Sequence, residues 1–142
     1  MKIAYPARVW PEDGAYVVQG LEPMGNLLTY GDTLGEALDN AQEALTGILG
    51  AMMDHGRAIP APAEAVEKEG VYLVEPAPNV AVPLLIRRIR EAEGLSQGEL
   101  AARLGVTYQA VQKWERPGAN PSVNSVGKIF RALGKQLELA IR

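Results

Sequence analysis

Leu95-Ser96-Gln97-Gly98-Glu99-Leu100-Ala101-Ala102-Arg103-Leu104-Gly105-Val106-Thr107 carries the punctuation of one whole helix and the start of the next. Ser96 and Glu99 have capping-box spacing, at which the serine hydroxyl takes the glutamate amide and the carboxylate reaches back to the serine amide. Leu100, Ala101 and Leu104 supply an apolar face, and Gly105 suits the left-handed backbone that ends a helix. Only Gly105-Val106 intervenes before Thr107, which can cap a second helix with Ala110, Val111 and Trp114 on one side. Tyr108, Gln109, Gln112 and Lys113 then face outward. Two capped helices joined so tightly read as a helix-turn-helix.

The flanks extend the same pattern. Pro83 suits the first position of a helix with Leu85, Ile86, Ile89 and Ala92 inward, closed by Gly94. Pro121-Ser122 opens another, with Val123, Val126, Ile129, Phe130 and Leu133 inward and Gly134 at its end. Beyond it Leu137, Leu139 and Ile141 alternate with Gln136, Glu138 and Ala140. A lone apolar strand there would leave a sticky edge, so residues 135–142 are expected to form a strand that pairs with a two-fold mate. A glutamine can bond an adenine edge at two atoms, and a lysine can meet a phosphate or a guanine acceptor. The outward groups therefore fit a DNA major groove, and the expected DNA-contacting set is Gln97, Thr107, Tyr108, Gln109, Gln112 and Lys113.

Upstream the period changes. Ile3, Tyr5, Ala7 and Val9 alternate in strand fashion, Pro11-Glu12-Asp13-Gly14 supplies a turn, and Ala15 to Gln19 returns as a second strand. Leu27 to Tyr30 makes a third, ended by Gly31-Asp32. Then Leu34, Ala37, Leu38, Ala41, Leu45, Ile48, Leu49 and Met52 fall on one helical stripe, with Thr33 and Glu36 spaced as a capping box and His55-Gly56 as the stop. Val71 to Val74 adds a strand, giving β-β-β-α-β. The stiff Glu75-Pro76-Ala77-Pro78-Asn79 stretch marks a boundary. The expected organisation is α+β: a first domain over 1–75, a linker over 76–82, and an all-α helix-turn-helix domain with a short terminal strand over 83–142.

Charge divides at the same place. Residues 1–80 carry four basic against twelve acidic side chains, net −8, and residues 81–142 carry ten against five, net +5. Such asymmetry fits one part meeting a polyanion and the other a basic partner, although solvated faces give the same count. The chain of 142 residues has no cysteine and a single histidine, which excludes disulfides, thiolate nucleophiles and Cys/His zinc sites. The longest apolar run, Val80 to Ile86, falls far short of the ~20 residues that cross a bilayer. No secretory signature opens the chain, so a cytoplasmic protein is expected, with no membrane partner. No metal or other cofactor and no catalytic residue is expected: Glu12-Asp13 lies in a turn, Glu36, Asp39 and Glu43 line an outer helix face, and His55 suits a helix-end role. Two parts of this size without staples gain from oligomerising, so a homodimer is expected, with pairing into tetramers left open.

Leu95 to Thr107, continued by Val111-Gln112-Lys113-Trp114-Glu115, resembles the phage-repressor (XRE or Cro/C1) type of helix-turn-helix, over Leu84 to Leu133. The departure is the longer, Pro-containing exit Arg116-Pro117-Gly118-Ala119. In the first half, Asp13-Gly14-Ala15-Tyr16-Val17-Val18, Tyr30-Gly31-Asp32-Thr33-Leu34-Gly35-Glu36-Ala37-Leu38, Ala41-Gln42-Glu43-Ala44-Leu45 and Gly56-Arg57-Ala58-Ile59-Pro60-Ala61-Pro62 resemble the HicB antitoxins. That resemblance implies a partial RNase H-like first domain that binds and blocks HicA, a small basic mRNA interferase, while the second domain binds operator DNA and represses the operon. Glu12, Asp13, Tyr16, Leu27 and Tyr30 are the candidate toxin-binding residues, though the three apolar ones fit a core equally well. A one-component repressor with a metabolite-sensing first domain is the competing expectation.

Overall fold

The computed structural model describes residues 1–63 and 67–142. The chain forms two compact units, Met1–Ala81 and Val82–Arg142.

The first unit is a four-stranded antiparallel sheet with one long helix. Strands β1 (Tyr5–Glu12), β2 (Ala15–Gly20) and β3 (Leu28–Gly31) precede helix α1 (Leu34–Asp54), and β4 (Val71–Val74) closes the sheet in the order β3-β2-β1-β4. The β1–β2 turn is the two-residue Asp13-Gly14, with φ of 49° and 79°. Positive φ at both positions matches the twist of the flanking strands. Pro11, expected in the turn, instead lies in β1 opposite Tyr16. Its missing amide breaks no second ladder, because β4 pairs only with Tyr5 to Arg8.

Tyr5, Ala7 and Val18 are buried, as are Ala37, Ala41, Leu45 and Leu49 along the stripe of α1. At Gly31 a Cβ would run into the backbone of Ala37, so only glycine lets the helix start against the end of β3. Thr33 caps α1, its hydroxyl accepting from the Glu36 amide at 3.1 Å. The expected reciprocal bond is displaced by one residue, since the Glu36 carboxylate takes the amide of Asp32 at 3.3 Å. At the other end His55 caps α1, with Nδ1 2.8 Å from the Ala51 carbonyl.

Helix α2 runs from Pro78 to Ala92, so the expected linker 76–82 is mostly helical. The amides of Val80 and Ala81 both bond the Ala77 carbonyl, at 3.0 and 2.9 Å, which makes Pro78 the first helical residue and leaves Pro83 inside the helix. Proline fits both places by fixing a helical φ, and at Pro83 the helix forgoes one amide.

The second unit contains α3 (Gln97–Leu104), α4 (Tyr108–Trp114) and α5 (Val123–Ala132) after α2. Its core is Ile86, Ile89, Leu95, Leu100, Ala101, Val111, Val126, Ile129, Phe130 and Leu133. Of the residues expected to face inward, Leu85, Leu104, Ala110 and Trp114 are half-buried and two are exposed. Ala92 is exposed, the inner position of that turn being taken by Arg90. Val123 is 68% exposed, because the apolar stripe of α5 begins at Val126, one turn inside the helix. The tail expected as a strand is irregular within the single chain, where no second strand is offered to it. Leu137 packs against the core, while Leu139 and Ile141 are exposed. Among the described residues no helix is long and apolar enough to cross a membrane.

Candidate functional site

The expected caps set the two helices of the second unit. The Ser96 hydroxyl accepts from the Glu99 amide at 3.0 Å and the Glu99 carboxylate accepts from the Ser96 amide at 3.2 Å. Donation to the carboxylate by the Ser96 amide, and after it by the Ser96 hydroxyl, holds the Glu99 carboxyl below its usual range. Gly105 ends α3 with φ of 67°, and Thr107 caps α4 by accepting from the Ala110 amide at 3.2 Å. Three residues, Gly105 to Thr107, thus separate the helices.

Val111 is fully buried and anchors α4, which leaves Tyr108, Gln109 and Lys113 exposed and Gln112 half-buried. Positions 108, 109, 112 and 113 repeat at helical spacing, so the four lie on one face. Gln97 differs from the other expected contacts. It opens α3 half-buried, and its carboxamide nitrogen donates to Glu115 Oε1 at 3.1 Å.

Glu115 is the centre of a buried polar network that the sequence did not single out. Arg90 donates from Nε to Oε2 at 2.7 Å and from Nη2 to Oε1 at 2.9 Å, a two-pronged pair with side chains only 11% and 4% exposed. Arg90 Nη1 also donates to the Leu95 carbonyl at 2.7 Å. The bonds to Glu115 hold the guanidinium charged above its ordinary value, against the opposing effect of burial. One arginine from α2 therefore fixes the α2–α3 turn and the residue that caps α4, and Gln97 joins the start of α3 to that same carboxylate. A planar guanidinium is suited to this because its donors are rigidly forked. The only sequence signal was a charge at an inner helical position of α2, four residues after Ile86.

In the first unit, strand pairing sorts the candidate partner residues by face. Glu12 pairs with Ala15, Tyr30 with Val17 and Tyr16 with Gly31. Because neighbours across a ladder share a face, Tyr16 lies on the side with buried Val18 and Ala7, and Tyr30 and Glu12 lie on the opposite, open side. Asp13 is at the exposed hairpin tip. Leu27 is 2% exposed and belongs to the core, so it is withdrawn as a surface contact. It precedes β3, where its carbonyl accepts from the Gly20 amide, and strand-like alternation alone could not place it.

Residues 4–77 match the family described as HicB-like antitoxin of a bacterial toxin-antitoxin system, and residues 86–139 match a helix-turn-helix family. The chain is 33% identical over 138 residues to antitoxin HicB 1 of Photorhabdus laumondii, covering 96% of this chain and 86% of that protein. It is 26% identical over 138 residues to antitoxin HicB of Escherichia coli K12, covering 96% and 98%. Against the crystal structure of the N-terminal domain of Burkholderia pseudomallei antitoxin HicB the TM-score is 0.44 at 22% identity, over 51% of this chain and 96% of that one.

Proposed function

The chain belongs to the HicB-like antitoxin family and is a type II antitoxin with a DNA-binding helix-turn-helix domain, and from that premise we propose how its two units divide the task. The first unit binds and blocks a HicA toxin, a small basic ribonuclease. The second binds operator DNA as a homodimer in the cytoplasm and represses the operon. Neither unit catalyses a reaction in this scheme.

The observation that carries this reading is an outward set of polar and basic side chains on α4, in a unit of net +5, joined covalently to a unit of net −8. Tyr108, Gln109, Gln112 and Lys113 meet the major groove, bordered by Thr107 and Gln97. Dimerisation is supported by the apolar groups left uncovered on the second unit. Val123, Leu139 and Ile141 are 68%, 77% and 100% exposed, and Val123 lines an open groove with Gly127, Leu137 and the basic Lys128, Arg131 and Lys135. Two-fold pairing there would set two α4 helices on successive turns of the same DNA face.

Co-expression of the full chain with the small basic product of the adjacent reading frame, alongside a promoter reporter, tests the scheme. The wild type restores growth and represses. The Gln109→Ala/Lys113→Ala variant restores growth and loses repression. A wild type that neither binds the neighbouring product nor restores growth, but releases its promoter on adding a metabolite, replaces the toxin-blocking role with a ligand-sensing one.

A further inference from the structure

Resting on that toxin-blocking role, we propose that the toxin docks on the open face of the sheet, over Trp10, Val17, Leu28 and Tyr30, steered by acidic groups at one end of the same sheet. The register builds this face. Trp10 pairs with Val17 and Val17 with Tyr30, so the three stand in a row across β1, β2 and β3. Gln19 pairs with Leu28, which places Leu28 beside Tyr30 on the same side.

A solvated sheet face ordinarily carries polar groups at alternate positions. Here β3 turns Leu28 and Tyr30 outward, 64% and 68% exposed, while the intervening Thr29 is half-buried. Arg8 lies with its guanidinium 5.5 Å from the Trp10 ring centre, and Trp10 Nε1 donates to Glu12 at 3.4 Å. Those contacts hold the indole in place on the face. A contiguous apolar and aromatic surface with a polar margin is the usual anatomy of a protein-binding patch.

Charge identifies the occupant. Glu12 and Asp13 at the β1–β2 tip, Asp32 just past β3 and Glu69 just before β4 are all exposed and all lie at one end of the sheet. A second copy would bring the same carboxylates, within a unit of net −8, against these. A cationic protein with an apolar centre is attracted by the same field, and the apolar contact then supplies the dwell time.

The experiment uses the full chain and the purified basic product of the adjacent frame. Leu28→Ser/Tyr30→Ser should weaken that complex by at least about 30-fold, as loss of a central anchor does, with operator binding and melting temperature unchanged. Glu12→Gln/Asp13→Asn should slow association about three- to tenfold and flatten its salt dependence while leaving dissociation unchanged. If the wild type binds and the Leu28/Tyr30 variant binds equally well, this docking face is wrong and the antitoxin role stands. If the wild type does not bind, both fall. If the variant changes only self-association, the face belongs to a second copy and the proposal is overturned. Should that variant melt early, hydrogen exchange of the wild type decides, since unchanged β3 and β2 protection on adding the partner also overturns it.

Discussion

Arg90 and Glu115 stand 25 positions apart in the chain and meet as a two-pronged, buried ion pair, 2.7 Å from Nε to Oε2. Its place in the fold explains its value better than its charge does. It connects α2 to the cap of α4, and the Gln97 bond brings the start of α3 to the same carboxylate. Two short helices of eight and seven residues have little helical stability of their own, so a fixed mutual setting must come from such tertiary ties.

Removing one partner should cost far more than removing both. Arg90→Met leaves a buried carboxylate with the Gln97 bond but without its counter-ion and is expected to lose about 3–5 kcal/mol, whereas Arg90→Met/Glu115→Leu should recover much of that loss. Urea unfolding followed on the amides of α3 and α4 measures the cycle. Equal losses in the single and double variants would mean that packing, rather than the unpaired charge, dominates.

On the DNA face, Gln109→Ala or Gln112→Ala should relax base preference at one operator position, costing on the order of 1–3 kcal/mol if the contact is two-pronged. Binding is measured on the operator and on random duplex at fixed salt. Equal losses on the two would assign these glutamines to the phosphate backbone instead.

Deleting residues 136–142 should convert dimers to monomers and weaken operator binding, because Leu137, Leu139 and Ile141 would no longer meet a two-fold mate. Sedimentation reads the assembly directly. A truncated chain that remains dimeric would move the interface onto α5 alone.

Acid should expose the α3 cap. The Glu99 carboxyl is held below its ordinary value of 4.5 by the Ser96 amide and hydroxyl, so its contribution is fully present above that pH and disappears as pH falls through the lowered value. Glu99→Gln should therefore melt earlier than the wild type at neutral pH, and the gap should narrow below about pH 4. Melting curves from pH 3 to 7 check this, and a gap independent of pH would assign the effect to helix propensity.

The order β-β-β-α-β, the extent of α1 and the helix-turn-helix were legible in the sequence, because each rests on local chemistry. Periodicity selects strand or helix within a few residues, and Thr33, Ser96, Gly105 and Thr107 mark boundaries through bonds to near neighbours. The outward set on α4 followed from the same short-range geometry once Val111 and Trp114 were taken as inward.

Tertiary structure decided what depends on partners distant in the chain. Leu27 and Leu28 are adjacent and chemically alike, yet one is 2% and the other 64% exposed, which is fixed by how β3 pairs with β2. Pro78 rather than Pro83 starts α2, because both prolines satisfy the local rule and only the Ala77 carbonyl bonds select between them. The Arg90–Glu115 pair lies outside any local pattern, since a charge on an inner helical position is stable only when another segment delivers its counter-ion. Local sequence thus specified the elements, and register and long-range pairing determined which of their side chains are left for a partner.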